Sequence, residues 1–553
     1  MKDVILKHTL LNAVEHEGKA DTGAVIKKVI AEKPEMRNQI KEVIEEIRKI
    51  VGEVNSWSID EQKKKIEEMK IKIEKKKFVV GLPELLNAKR GKVVMRLAPY
   101  PSGPLHIGNA RMIILNDEYV KKYKGKLFLV IDDTIGSEEK FIIPEAYGMI
   151  LDGLKWLGVK WKKIFYKSDR LKLFYKAAED FIKNDIAYVC ECDVDTLRKN
   201  RASGIECDHR KQSVKENLRK WKHMLKGKYK EGGAVLRLKT DMKDTNPAFR
   251  DRVLFRIIER KHPQVGKKYK VWPMLEVSWA VDDQLLKITH ILRGKDLVME
   301  DLVESFIWKK MKVKNPPMFI HYGMFNLNEA KLSKTAARKA IEAGTYSGWD
   351  DPRTWSLQSL RKRGIQPGAI RKFIIAMGLS EADVSMPAEI LYAENRKLID
   401  SMANRYFAVL NPVEISVNNA PKIKNVEVNL HPDFPKRGKR KIAVNIKRIY
   451  VEENDLKNFE GKEVRLMDLF NVILSISPEF TSEKMKLETQ KIQWISEPNV
   501  KIKIIMPDGK KKIALAEPGI KKVKANQIIQ LVRVGFCRVE KADKDIVLYY
   551  AHK

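Results

Sequence analysis

The stretch from Lys92 to Ile131 constrains the fold more than any other part of the chain. Val93 to Leu97 is a short apolar run of strand length, and a Pro- and Gly-rich loop, Ala98 to Pro104, follows it. A helix is predicted from near His106 to about Tyr123, where Gly125 ends it, and Leu127 to Ile131 reads as a second strand. Strand, helix and strand in about 40 residues make a βαβ unit, which requires a parallel sheet. A later segment repeats the rhythm: strand Ile288 to Leu292, helix from about Asp296 to Lys310, strand Met318 to Tyr322. Between the halves lies a basic region, roughly 190–277, so the simplest organisation is one sheet interrupted by an insertion.

The flanks have different textures. Ile40, Val43, Ile44, Ile47, Ile50 and Val51 fall at helical spacing, and Ser58 followed by Glu61 predicts a capping box. Residues 1–90 are therefore expected to form a helical extension. The core is expected over 91–340, and a helical connecting segment over 341–409, where Pro367 opens a helix and Gly378 closes it. From about 410 to 553, short β-rich runs such as KIAVNIKRIYV and DIVLYYA are separated by Asn, Pro, Gly and charge clusters, the pattern of β-barrels or a sandwich.

The 553 residues are enough for about three to five domains. The 108 Lys and Arg against 73 Asp and Glu leave a net charge of +35. An excess of that size points to a polyanion, nucleic acid before an anionic membrane. No apolar run reaches the length of a membrane span, and the first residues lack a signal-peptide core. Four Cys do not make a disulfide scaffold. The expectation is a cytoplasmic protein that handles nucleic acid and has no membrane partner.

The P-loop and dinucleotide patterns GxxxxGK[ST] and GxGxxG are absent. The first strand leads instead into Ala98-Pro99-Tyr100-Pro101-Ser102-Gly103-Pro104-Leu105-His106-Ile107-Gly108-Asn109, a loop that ends at a helix N-terminus. Free N–H groups and the helix dipole attract anions there, and Gly108 lets a phosphate approach the backbone. A second cluster, Lys331-Leu332-Ser333-Lys334-Thr335, places two ammonium groups and two hydroxyls on a short loop after a strand. Alone, the first cluster reads as a helix start with a capping His and the second as an ordinary solvated loop.

Taken in this order, the two clusters resemble the HIGH and KMSKS signatures of class I aminoacyl-tRNA synthetases. Four segments narrow the resemblance to the glutamyl/glutaminyl-tRNA synthetase family, in its archaeal glutamyl form: MRLAPYPSGPLHIGNARMIILNDEYVKKYKGKLFLVIDDT, VWPMLEVSWAVDDQLLKITHILRGKD, KLSKT and YSGWDDPRTWSLQSLRKRGIQPGAIRKFI. It covers roughly Lys92 onward. The chain departs from the family at Asn109, which replaces the second His of HIGH, and at Thr335, which replaces the last Ser of KMSKS. Tyr100 stands where many relatives have a small polar residue. Leu275 and Trp279 stand where bacterial relatives place polar groups near the amino-acid side chain.

The resemblance implies a Rossmann-type core and ATP-dependent coupling of L-glutamate to tRNA through a glutamyl-adenylate, with Mg²⁺ on the phosphates. His106, Lys331 and Lys334 would carry the chemistry, and Pro99, Gly103, His106, Gly108, Asn109 and Ser333 would hold ATP. Arg96, at the end of the first strand, would meet a glutamate carboxylate, Asp132 the ammonium, and Arg293 would contact the substrate from the second half. The insertion would take the acceptor end of the tRNA, and the C-terminal strands, with basic runs Lys439 to Lys441, Lys447, Arg448 and Lys510 to Lys512, the anticodon arm. The alternatives are a glutaminyl-tRNA synthetase or a degenerate RNA-binding paralogue. Separately, Cys190, Cys192, Cys207 and His209 offer three thiolates and an imidazole, a donor set for closed tetrahedral zinc. Their spacing within each pair is tighter than usual, and unliganded thiols are the other reading.

Overall fold

The computed structural model describes residues 2–15, 18–33, 35–36, 40–69, 71, 81–136, 141–330 and 332–553. The chain divides into two units, 1–80 and 81–553. The first is built from helices α1 (Lys2–Glu15), α2 (Thr22–Glu32), α3 (Ile40–Ser56) and α4 (Ile59–Glu68). The apolar stripe of α3 buries Val43, Ile47, Ile50, Val51 and Val54 against Ile5, Leu10, Val25 and Val29. The Ser58–Glu61 capping box opens α4 as its spacing predicts. Residues 81–89 belong to the second unit and form turns, with Leu85 buried and its N–H bonded to the Tyr123 hydroxyl at 2.7 Å.

The second unit begins with β1 (Val94–Leu97), α5 (Ile107–Lys122), β2 (Lys126–Ile131), α6 (Pro144–Trp156), β3 (Lys163–Tyr166) and α7 (Leu171–Lys183). The three strands pair in parallel, with β2 in the middle. After the insertion come α10 (Leu275–Leu285), β8 (His290–Gly294), α11 (Val298–Lys310) and β9 (Met318–Tyr322), and β8 and β9 are again parallel. Strand β8 starts two residues later than its apolar run predicts. Ile288 is still finishing α10, its N–H bonded to the Asp283 carbonyl at 2.8 Å. Thr289 seams the halves together: its N–H reaches the Val94 carbonyl and its Oγ1 accepts the Val94 N–H, both at 2.9 Å. The spatial order is β3-β2-β1-β8-β9, and the switch between β1 and β8 opens the crevice where α/β sheets hold ligands.

The insertion is an antiparallel sheet of β4 (Ala187–Cys190), β5 (Val235–Leu238), β6 (Val253–Ile257) and β7 (Val271–Pro273), backed by α9 (Val214–Leu225), while α8 (Val194–Ser203) buries none of its residues. Helices α12 (Lys334–Glu342), α13 (Leu357–Arg363), α14 (Pro367–Met377) and α15 (Ala388–Ile399) follow, and Gly378 caps α14. The rest is β-structure. A seven-stranded sheet has strands 404–406 and 408–410 at its two edges. Only Phe407 separates those two strands, so the sheet closes on itself as a barrel, which removes exposed edges. A second β-cluster is centred on Trp494, Phe470, Val464 and Val451. Among the described residues, no helix is long and apolar enough to cross a membrane.

Candidate active site

The loop after β1 delivers His106 to the N-cap of α5. Its Nδ1 accepts the Gly108 N–H at 3.1 Å, while the Asn109 Oδ1 accepts the His106 N–H at 3.1 Å. With Nδ1 accepting, the ring proton sits on Nε2, which is left to donate. Burial, and after it the nearby Lys334 ammonium, push this imidazole down to about 3, so the ring is neutral at physiological pH. Asn109 thus has a local job at the helix start that its amide performs well. A Cβ on Gly108 would lie 2.9 Å from the His106 ring and 3.2 Å from Leu332. Gly103 has φ +145° and packs on the Trp349 ring, and the Pro99 carbonyl accepts the Asp132 N–H at 3.0 Å, tying the loop to the end of β2.

Lys334 approaches from the other half as the first residue of α12, capped by the Ser333 hydroxyl, which accepts the Ala336 N–H at 3.2 Å. Its Nζ stands 3.5 Å from the Gly103 carbonyl, and burial pushes the ammonium down to about 8. Lys331 lies outside the described residues.

A cavity of about 550 Å³ opens at the switch point, lined by Arg96, Asp132, Arg293 and Lys334 together with Leu275 and Trp279. The sheet therefore brings the three amino-acid candidates to one space, but each is already engaged by protein. Arg96 donates from Nε and Nη2 to the two Asp283 oxygens at 2.6 and 2.8 Å and lies over the Trp279 ring. Asp132 accepts from the Thr134 hydroxyl at 2.9 Å and the Lys167 ammonium at 3.1 Å. Arg293 is held by Glu304 at 2.9 Å and by Asp301, which also receives His321. Burial pushes the Glu304 carboxyl up to about 8. Asp283, Glu304 and Lys167 were not singled out by the sequence. Asp283 had a faint signal, since helix α10 carries paired acids on a wholly buried turn.

The family model for the catalytic domain of class I tRNA synthetases (E and Q) matches residues 92–401, and models for their anti-codon binding domain match 403–490 and 488–540. A glutamate–tRNA ligase of Pyrococcus horikoshii is 42% identical over 575 residues, with 100% of each chain covered. That of Methanothermobacter marburgensis is 39% identical over 562 residues, again with 100% of each chain covered. The chain belongs to the glutamate–tRNA ligase family. A solved glutamate tRNA ligase of Elizabethkingia meningosepticum, in complex with its amino acid, is 19% identical at a TM-score of 0.41, with 57% of this chain and 70% of that one covered.

The insertion of the ligase gathers its four candidate metal donors. Cys190 ends β4, and an extended backbone turns residues i and i+2 to one side, so Cys192 points with it. Cys207 and His209 approach on the turn across from them. All four donor atoms lie within 4.8 Å of one another; the Cys190 and Cys207 sulfurs are 3.8 Å apart and the Cys192 sulfur is 3.5 Å from His209 Nδ1. A tetrahedron with Zn–S bonds of about 2.3 Å has edges of about 3.8 Å, so the donor set fits zinc. Arg237 places Nη1 3.7 and 3.8 Å from the Cys190 and Cys207 sulfurs, which suits a thiolate-rich centre.

The basic runs at the C-terminal strands divide. Lys439 and Lys441 point outward, but Arg440 is buried between them and paired with Glu517 at 2.7 Å, since alternate strand residues face opposite sides. Arg448 is engaged by Glu414 and Glu497. Arg440 and Arg448 are thus held by the protein's own carboxylates.

Proposed function

We propose that this glutamate–tRNA ligase performs two steps in the crevice between β1 and β8. The glutamate α-carboxylate attacks the α-phosphorus of ATP, forming glutamyl-adenylate and expelling pyrophosphate. A hydroxyl of the terminal tRNA ribose then attacks the acyl carbon and releases AMP. Neither step needs a protein nucleophile, so position and charge do the catalysis. The observation that carries this reading is the place of Lys334, which lines both the amino-acid cavity and the narrow groove beside His106. A phosphate held there meets the ammonium at the junction of the two substrates.

In this reading His106 Nε2–H and the first N–H groups of α5 hold the phosphates, with Gly103 and Gly108 leaving room and Pro99, Asn109 and Ser333 fixing the loop and helix starts. Lys334, with Lys331, neutralises the leaving pyrophosphate. Arg96, Asp132 and Arg293 receive glutamate. The groove beside His106 is lined by no carboxylate among the described residues, so Mg²⁺, which class I synthetases use with ATP, would be held by the phosphates themselves. Cys190, Cys192, Cys207 and His209 would hold a structural zinc that ties the end of β4 to the turn at 207–209. Lys439, Lys441, Lys447 and Lys510 to Lys512 would meet tRNA phosphates, which gives affinity without sequence information.

The test is aminoacylation of each purified tRNA with labelled glutamate and with labelled glutamine. Charging of the glutamate tRNA with glutamate is expected. Glutamine transfer at a comparable rate would make this the glutaminyl enzyme, and no transfer at all, with RNA binding intact, a binding-only paralogue.

A further inference from the structure

Lys167 follows β3 directly and is completely buried, an unusual place for a lysine. Its ammonium donates to Asp132 Oδ2 at 3.1 Å and to the Ser278 hydroxyl, and its Nζ stands 3.4 Å from the centre of the Trp279 ring. On the same ring the Arg96 guanidinium carbon stands at 3.6 Å. Two groups that close to one centroid cannot share a face, because contact distances of about 3.5 Å hold both directly above it, where they would overlap. The indole is therefore clamped between two cations. Through it and Asp132, the buried lysine touches two walls of the amino-acid cavity without lining the cavity itself.

The partners of Asp132 define what this does. Its Oδ1 accepts only a hydroxyl, from Thr134, and Lys167 is the one cation bonded to it among the described residues. Arg96 and Arg293 are committed to carboxylates of their own. Remove the lysine charge and a bare carboxylate faces the cavity. A bare anion there attracts the ammonium that glutamate and glutamine share, and repels the side-chain carboxylate that only glutamate carries.

We propose that Lys167 is a positioning and specificity residue of the amino-acid site: by neutralising Asp132 and clamping Trp279 against Arg96, it lets the cavity accept an acidic side chain in preference to its amide. The inference rests on the glutamate reading above. It assigns to a residue outside the cavity a share of the choice between acid and amide, which packing alone would not give.

The test measures the KM for glutamate, the inhibition constant of glutamine against glutamate charging, and the KM for ATP, in the full-length ligase with purified glutamate tRNA. Lys167→Met keeps the length of the side chain and removes the charge. It should raise the KM for glutamate about tenfold or more, the size expected of one uncompensated charge a few ångströms away in a protein interior. The glutamine constant should move less than about threefold, since its side chain is a neutral amide, and the KM for ATP less than about twofold, since ATP is placed at the groove beside His106. Lys167→Arg, which restores the charge, should recover most of the preference. If Lys167→Met does not fold, Lys167→Gln keeps hydrogen bonding to Asp132 and Ser278, and the same split is expected. Glutamate and glutamine constants that rise together, or a preference unchanged in a folded neutral variant, overturn the proposal. A merely structural lysine would lower the melting temperature and shift both ligands alike. Wild-type ligase that fails to charge glutamate defeats the underlying reading, whereas wild-type charging with an unchanged preference in the variant defeats only the role of Lys167.

Discussion

Lys334 gives the sharpest pH signature. Burial lowers its ammonium from the usual lysine range to about 8, while His106, the other titrating group lining the groove among the described residues, is held neutral down to about 3. The kcat/KM for ATP, read in tRNA-dependent ATP–pyrophosphate exchange, should therefore be flat across neutral pH. It should fall about tenfold per unit above pH 8, as the charged fraction falls by that factor. Bound phosphates favour the charged form, so the corresponding limb in kcat should lie at higher pH. Lys334→Arg should erase the limb, because guanidinium does not titrate in this range, and Lys334→Ala should cost about 10²–10³ in rate, as for one lost charge-stabilising donor. Unfolding does not mimic the effect. The folded pKa lies below the unfolded one, so between about pH 8 and 10.5 the unfolded state binds more protons and this group adds stability as pH rises. A profile flat to pH 10, or a limb that persists in Lys334→Arg, would refute the reasoning.

Four further outcomes follow from the geometry. Gly108→Ala forces the His106 ring off its cap, so exchange activity should drop well over tenfold while the melting temperature moves only by the cap's worth, about 1 kcal/mol. Arg96→Ala strands the buried Asp283 and should cost about 3–5 kcal/mol in denaturant titration, whereas the double variant Arg96→Met with Asp283→Leu should recover stability but not glutamate binding. His106 and His552 are depressed to about 3 and about 4, mainly by burial, so the unfolded state binds the extra protons and stability should fall as pH drops from 6.5 through those values; His552→Gln should flatten part of that acid limb in melts. Metal analysis should give about one zinc per chain, and Cys190→Ser should lower it and speed proteolysis within the insertion; native protein with no metal and four modifiable thiols would leave the cysteines unliganded.

What was legible in the sequence was local. The βαβ unit could be read because β1 and β2 are short apolar runs bounded by loop residues and Gly125, and α4 and α14 because their capping residues stand next to them. The cysteine–histidine cluster was legible as a donor set, three thiols and an imidazole, while nothing local showed that the turn at 207–209 folds back onto the end of β4. What escaped were pairings over long separations. Arg96 and Asp132 could be placed at strand ends, but not the partners that hold them, since Asp283 is 187 residues from Arg96 and Lys167 is 35 from Asp132. Nothing local marks Lys167 as buried: it sits in Tyr-Lys-Ser-Asp-Arg, which reads as surface. Likewise Arg440 differs from Lys439 and Lys441 only by the parity of its position, and parity tells inside from outside only once the strand's neighbours are known.

The closed barrel also sets an order of events in the cell. Strand 546–552 lies inside the seven-stranded sheet, between 535–542 and 500–505, while the strand that welds the sheet shut, 404–410, is made some 140 residues earlier. At ordinary ribosomal speed the first part waits roughly ten to thirty seconds for the last. Throughout that interval the catalytic sheet, whose strands all precede residue 323, has every partner it needs, but the barrel has unpaired strands on both sides of a gap. The nascent ligase therefore passes through a state with a finished active-site crevice and an open, sticky β-surface. Ribosome stalling within residues 410–546 would expose that surface to aggregation or chaperone capture, while stalling before residue 404 would not.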